Sequence, residues 1–134
     1  MNIIIKTIPH DQQRYPTAGD WWFEPYCQGK PEEECDLHIR VSGTGNWRYE
    51  ALVALHELVE VLKCKHDGVS QKEVDEFDIE YEKNRKDGDD SEPGDSPDAP
   101  YRFQHCLATG IERIMCAEFG LDWKAYDDAL MALS

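Results

Sequence analysis

Short apolar segments in the first third of the chain predict three β-strands. Residues 3–8 are rich in β-branched isoleucine, residues 21–24 form an aromatic run, and residues 37–41 alternate apolar and polar side chains with a period of two. Each segment has the length of a strand rather than that of a helix. The pattern therefore predicts a small antiparallel β-sheet within residues 1–45.

A helical pattern replaces the strand pattern further along the chain. Asn46 is a favourable N-cap, and the residues after it include neither glycine nor proline until Gly68, which predicts a long first helix. Ser70 and Glu73 have the spacing of a capping box, in which each side chain satisfies a free backbone amide of the other residue. They predict the start of a second helix within a helical part that spans residues 46–134.

An acidic segment separates the second helix from the third. Residues 86–100 contain six acids, three prolines and two glycines, a composition that neither continues a helix nor fills a core. It predicts a solvated loop or a lid. Residues 101–119 form a third predicted helix, and a short fourth helix begins at Asp122. The order of elements predicts one α+β domain over residues 1–134, with the sheet followed by three to four packed α-helices.

The chain is strongly acidic, which narrows its possible partners. Of its 134 residues, 28 are Asp or Glu and 14 are Lys or Arg, so the formal net charge is −14 with histidine neutral. Nucleic acid is itself polyanionic, so direct nucleic-acid binding is not expected. No stretch approaches the roughly 20 apolar residues that cross a bilayer, and the start of the sequence lacks the pattern of a signal peptide. We therefore expect no membrane partner and a cytoplasmic location, with the five cysteines reduced. The alternative is a disulfide between Cys27 and Cys35, which flank a polar turn.

The first helix carries a narrow polar strip on a largely apolar surface. His56, Glu57 and Glu60 lie on this strip. Because His56 and Glu60 are four residues apart, their side chains stack one turn apart and can reach a single cation. The alternative interpretation is a solvent-facing strip that contains a helical His–Glu pair.

Similar stripes recur on the next two helices. On the second helix, Asp75, Asp78 and Glu82 lie beside the inner edge, where buried carboxylates are costly unless a cation or hydrogen bonds compensate them. On the third helix, His105 and Glu112 lie two turns apart beside an apolar face. That face consists of Phe103, Leu107, Ile111 and Ile114. The recurrence favours one shared polar site that holds a metal ion; alternatively, the acids of the second helix are simply solvated.

The sequence L-H-E-L-V-E at residues 55–60 resembles the H-E-x-x-H helix of zincin metallopeptidases, which likewise follows a small β-sheet. In that family the two outer residues bind zinc, and the first glutamate is the general base that acts on a zinc-bound water. The resemblance implies that His56 and Glu60 are metal ligands and that Glu57 is the catalytic base of a hydrolase. It also implies a third ligand from further along the chain, either His105 or an aspartate of the second helix.

Glu60 stands where zincins have a second histidine. This departure makes the site more anionic, which affects the choice of metal. The cofactor that the resemblance to zincins implies is zinc, and Mg²⁺ is the alternative cofactor that belongs to the pyrophosphatase interpretation below.

The longer pattern from G-D-W-W at residues 19–22 to A-P-Y at residues 99–101 is similar to small uncharacterised proteins of tailed phages and prophages. This resemblance spans most of the chain and implies a phage origin, so the cytoplasm concerned would be that of a bacterial host cell. It implies no particular activity.

Two alternative functions fit parts of the same sequence. Glu57-x-x-Glu60 followed by Asp75-x-x-Asp78 is similar to the paired carboxylate helices of all-α nucleotide pyrophosphatases, which bind Mg²⁺ and hydrolyse nucleoside triphosphates. The other alternative is a protein that is not an enzyme. A compact acidic protein can bind a basic surface on a host protein and so inhibit it. The expected partner is accordingly either an unidentified substrate or a host protein.

Overall fold

The computed structural model describes residues 1–24 and 35–133. In this part of the chain, β1 (Ile3–Ile8), β2 (Gly19–Glu24) and β3 (Asp36–Ser42) form one sheet in the order β1-β3-β2. β2 pairs antiparallel to β3, whereas β1 pairs parallel to it. The sheet is therefore mixed, and the prediction that it is antiparallel throughout is wrong. Because β3 inserts between two strands of opposite direction, it must run parallel to one of them.

Two helices follow the sheet and begin where the sequence predicts. α1 (Trp47–Asp67) starts after Asn46, whose side chain accepts hydrogen bonds from two backbone N–H groups of the first turn. It ends at Gly68, whose φ of 79° lies in the left-handed region that glycine adopts without strain. α2 (Gln71–Lys83) begins with the predicted capping box.

α3 (Arg102–Glu118) and α4 (Trp123–Met131) complete the fold. Within residues 86–100 the regular structure is one short 3₁₀ turn, Pro93–Asp95, which agrees with the predicted loop. Across the described residues, no helix combines the length and the apolar character needed to cross a membrane. A small sheet followed by four helices confirms the predicted α+β class.

The hydrophobic core lies between the sheet and α1. Apolar side chains from β2 and β3 are buried on one face of the sheet, and they pack with buried side chains of α1. These residues are Trp21, Phe23, Leu37, Ile39, Val41, Leu52, Val53 and Val61. Because α1 packs against α3 as well as the sheet, its polar strip lies inside the molecule rather than in bulk water.

The buried face of α3 carries three polar side chains beside the small Ala108 and Cys116. Gln104, His105 and Glu112 are buried, whereas Phe103 is 85% exposed and Ile114 is 66% exposed. Most of the apolar face beside which the sequence places His105 and Glu112 is therefore exposed, and the polar stripe is the buried part. Polar groups can be buried where they find hydrogen-bonding partners, and the partners of His105 and Glu112 on α1 and α4 fix the rotation of the helix.

The cysteines do not share one oxidation state. Cys35 is disulfide-bonded, whereas Cys64, Cys106 and Cys116 are free thiols. The expectation that every cysteine is reduced is therefore wrong for Cys35. Sequence spacing does not reveal which sulfur atoms come within bonding distance in the fold.

Candidate metal centre

α1 and α3 bring His56, Glu60 and His105 together in the interior. All three side chains are buried, at 5–8% exposure, and one ligand atom of each lies within 4.8 Å of the others. His56 Nε2 lies 3.2 Å from Glu60 Oε2, and His105 Nδ1 lies 2.9 Å from the same oxygen. Two imidazoles and one carboxylate that converge in this way form a possible metal-ligand group, which we call the His–Glu cluster.

Neighbouring side chains hold two of these ligands in place. His56 Nδ1 lies 2.8 Å from Glu112 Oε1, and the other oxygen of Glu112 accepts a hydrogen bond of 2.5 Å from the Tyr126 hydroxyl. The indole N–H of Trp21 donates to Glu60 Oε1 at 3.0 Å. A carboxylate on the far nitrogen of an imidazole is the usual way in which proteins orient a metal-binding histidine.

The charges of the His–Glu cluster depend on one another. Burial disfavours the imidazolium of His56, yet its bonds to Glu112 and Glu60 outweigh this effect and raise its pKa well above the ordinary value. Burial disfavours the imidazolium of His105 as well, but the carboxylates around this ring raise its pKa to about 10. Burial alone would raise the pKa of Glu60, but its hydrogen bonds with His105 and His56 outweigh this effect and lower the pKa to about 2. Protons therefore balance the buried charge when no cation is present, and a divalent cation would replace them.

Glu57 lies beside the His–Glu cluster and lines the same cavity. Burial and the nearby Glu60 carboxylate raise the pKa of Glu57 well above its ordinary range. A β-carbon at Gly19 would lie 2.6 Å from Glu57 Oε1, so the glycine leaves space that this carboxylate uses. A carboxyl group with a raised pKa is suited to take a proton from water and to release it again.

The candidate residues line a cavity of about 460 Å³. Every residue that the sequence nominates for the site lines its wall. These residues are His56, Glu57, Glu60, Asp75, Asp78 and His105. The cavity has the volume of a small-molecule site, and the His–Glu cluster forms part of its wall.

Asp75 and Asp78 lie in this cavity but have other partners. Asp75 is 3.8 Å from Arg14 Nη2, and Asp78 Oδ1 accepts a hydrogen bond of 2.5 Å from the Tyr101 hydroxyl. Arg14 also forms a two-bond ion pair with the buried Asp20, at 2.6 and 3.0 Å. We call Asp20, Asp75 and Asp78 the Asp cluster. Among the described residues, neither Asp75 nor Asp78 belongs to a possible metal-ligand group.

Burial dominates the electrostatics of the Asp cluster. It raises the pKa of Asp78 to about 7, against the hydrogen bond from Tyr101, which lowers it. Burial likewise raises the pKa values of Asp20 and Asp75. Arg14 opposes the increase at Asp20, and a hydrogen bond of 3.2 Å from the Gln71 amide, together with Arg14, opposes it at Asp75. The partners of these acids are therefore an arginine, an amide and a hydroxyl rather than imidazoles.

The structure adds two residues that the sequence did not nominate. Glu92 Oε2 and Asp95 Oδ1 lie 3.0 and 3.2 Å from His105 Nε2. Both acids come from residues 86–100, where no helical or strand periodicity indicates which side chains point inward. Gly94 lies between them in the sequence, and the structure shows why a glycine stands there, since a β-carbon would lie 2.4 Å from His105 Cγ.

Comparison of the chain with models of known protein families, with curated proteins and with solved structures finds no match. The resemblances to zincins, to nucleotide pyrophosphatases and to phage proteins therefore depend on motif residues alone. The assignment of the His–Glu cluster as a possible metal-ligand group rests on the distances between its ligand atoms and on their burial.

Proposed function

We propose that this protein is a metal-dependent hydrolase in which His56, Glu60 and His105 hold a divalent cation and Glu57 is the general base. One observation carries the proposal. Three buried ligands from two helices converge at the wall of an accessible cavity, and a carboxylate with a raised pKa lines the same cavity.

The donor set favours zinc. Two imidazole nitrogens and one carboxylate oxygen are a common set of protein ligands at catalytic zinc sites, which leave further positions open. Glu112 supports this assignment because it bonds the far nitrogen of His56. A bound zinc ion supplies a Lewis acid that lowers the pKa of water and polarises a substrate oxygen.

The other groups of the site have separate roles. Glu57 accepts the proton of the attacking water and later delivers it to the leaving group. The hydrogen bond from Trp21 keeps Glu60 in its ligand position, and the bond to Glu112 keeps His56 in the tautomer whose Nε2 is free of hydrogen. The surrounding cavity wall partly excludes bulk water from these groups.

Metal analysis of protein purified without a chelator or histidine tag tests the ligands. We expect about one zinc ion to be lost in His56→Ala and retained in His66→Ala, a control on an exposed position of the same helix. Unchanged metal content in His56→Ala, or wild-type protein that takes up no zinc, would overturn the proposal.

Turnover tests the role of Glu57. On a panel that contains an activated ester, a peptide and a nucleoside triphosphate, Glu57→Gln should keep its zinc and lose hydrolysis by a factor of about 100 or more. Glu118→Gln, an exposed position at the end of α3, should leave both unchanged. Hydrolysis that survives in Glu57→Gln would exclude Glu57 as the base.

A second candidate is a Mg²⁺-dependent nucleotide pyrophosphatase. The observation that favours it is that Glu57, Glu60, Asp75 and Asp78 line one cavity. Carboxylate oxygens are the ligands that Mg²⁺ prefers. This function predicts Mg²⁺-dependent release of pyrophosphate that is lost in Asp75→Asn, and zinc-dependent hydrolysis that survives Asp75→Asn would exclude it.

A further inference from the structure

The His105 ring has acidic side chains at both of its nitrogens. Nδ1 lies 2.9 Å from Glu60 Oε2, while Nε2 lies 3.0 Å from Glu92 Oε2 and 3.2 Å from Asp95 Oδ1. One ligand atom from each of Glu92, Asp95 and His105 lies within 4.8 Å of the others. The far side of the ring is therefore also surrounded by potential metal ligands.

These two acids approach His105 Nε2 without the geometry of a hydrogen bond. The Nε2 atom of His105 is buried, and within the described part of the chain no hydrogen bond reaches it. His105 itself is only 5% exposed. Nitrogen and oxygen ligands about 2.0–2.2 Å from one tetrahedral zinc ion lie roughly 3.3–3.6 Å from each other. The observed distances from Nε2 to the two carboxylates, 3.0 and 3.2 Å, are within about 0.5 Å of this spacing.

The loop is shaped to bring its acids to this nitrogen. Gly94 lies between the two acids in the turn Pro93–Asp95, and its backbone lies so close to the imidazole that a β-carbon would be 2.4 Å from Cγ. Arg102 anchors the same turn from α3 through a hydrogen bond to the Asp95 carbonyl oxygen. Glu92 and Asp95 therefore approach His105 because the residue between them has no side chain.

We propose that Glu92, Asp95 and His105 Nε2 form a second divalent-cation site, and that His105 bridges the two cations. The proposal rests on the proposed function, because His56 and Glu60 hold the first cation. Three carboxylates lie at the two nitrogens of the His105 ring, so each of the two cations would have at least one anionic ligand in this partly buried site.

The second site has an open side. The Glu92 and Asp95 side chains are 61% and 60% exposed, so solvent can supply the remaining ligands and can exchange with them. We expect this cation to bind more weakly than the first and to fasten the acidic loop to α3 at the edge of the cavity.

The test is the number of zinc ions bound by full-length protein after dialysis against buffered free Zn²⁺, measured by elemental analysis. Wild type should bind two ions, and the double variant Glu92→Gln/Asp95→Asn should bind one. Glu60→Gln should also bind one, because the exposed carboxylates keep the second site. Asp98→Asn, an exposed acid of the same loop, is the matched control and should bind two. Circular dichroism confirms the fold of each variant.

The outcomes separate this site from the hydrolase centre. A single wild-type ion that is lost in Glu60→Gln and kept in the double variant overturns the second site and leaves the proposed function intact. A single ion that is kept in Glu60→Gln and lost in the double variant supports the site at Glu92, Asp95 and His105 Nε2, but it overturns both the hydrolase centre and the bridge between two cations. Two ions that remain in the double variant also overturn the second site.

Discussion

The His–Glu cluster and the Asp cluster line the same cavity, and they differ in what balances their negative charge. In the first, two imidazoles contact Glu60 and Glu112, and these imidazoles can exchange their protons for a metal ion. In the second, the guanidinium of Arg14 is a permanent cation that forms two hydrogen bonds with Asp20.

This difference shows why buried acids do not by themselves indicate a metal site. A carboxylate with an arginine partner is already compensated, so a metal ion that binds it must compete with a charge that cannot be removed by deprotonation. A carboxylate whose partners are histidines becomes available when the histidines lose their protons. The type of partner, rather than the number of acids, distinguishes the two clusters.

Isosteric amides in the two clusters should give the largest difference. We expect Glu60→Gln to weaken zinc binding by a factor of more than about 100, because it removes a ligand and its charge. Asp75→Asn should change zinc affinity by less than about threefold, because it contacts Arg14 rather than the two histidines. Competition with a chromophoric chelator measures both affinities. Equal losses in the two variants would show that both clusters share the metal.

Glu112 should have a smaller effect on the same affinity. Glu112→Gln keeps the shape of the side chain but removes the charge beside His56 Nδ1, so zinc affinity should fall by about 10- to 100-fold. Glu118→Gln lies at an exposed position of the same helix and should leave the affinity unchanged. Isothermal titration calorimetry resolves this range. An affinity that stays at the wild-type value would mean that Glu112 does not orient the histidine.

Substitutions at the Asp cluster and its partner Arg14 should change the free energy of unfolding rather than the affinity for metal. Arg14→Met leaves Asp20 buried without its cation, and we expect the free energy of unfolding to fall by about 2 kcal/mol, since the pair is only partly exposed. The double variant Arg14→Met/Asp20→Asn should recover about half of this loss, because no uncompensated charge remains. Urea unfolding in the presence of a chelator provides both values. If the double variant recovers nothing, Arg14 acts through its stacking on Trp22 and Tyr15 instead.

Local sequence signals predicted most of the fold. Asn46 predicted the start of α1 and Gly68 its end, and the capping box predicted the start of α2. The strand order could not be obtained in this way, because the insertion of β3 beside β1 depends on long-range pairing. The rotation of α3 was also missed, since Phe103 and Ile114 are apolar and yet exposed.

The site shows the same division between local and long-range information. The four-residue spacing of His56 and Glu60 is local, so the sequence reveals that both can reach one cation. The approach of His105 depends on the packing of α3 against α1, and the sequence offered it only as one of three possible third ligands. Glu92 and Asp95 lie in a loop without periodicity, so their contact with His105 required the structure.

The smallest expected effect concerns Asp78 and the pH dependence of stability. Burial raises the pKa of Asp78 to about 7 in the folded protein, above the ordinary range near 4 that applies to the unfolded chain. A raised carboxyl pKa means that the protonated form favours folding, so this contribution is present at low pH and is lost as the pH rises toward 7. Asp78→Asn removes that loss while its side-chain oxygen still accepts the Tyr101 hydrogen bond.

We therefore expect Asp78→Asn to match the wild type in stability below about pH 4 and to exceed it by about 1 kcal/mol above pH 7, after allowance for solvent screening at a partly exposed side chain. Asp98→Asn, on the exposed loop, should follow the wild type throughout. Thermal unfolding at a series of pH values, with a chelator present, measures the difference. A variant that is less stable than the wild type at pH 8 would show that the folded protein stabilises the charged form of Asp78, and burial would then not dominate the electrostatics of this residue.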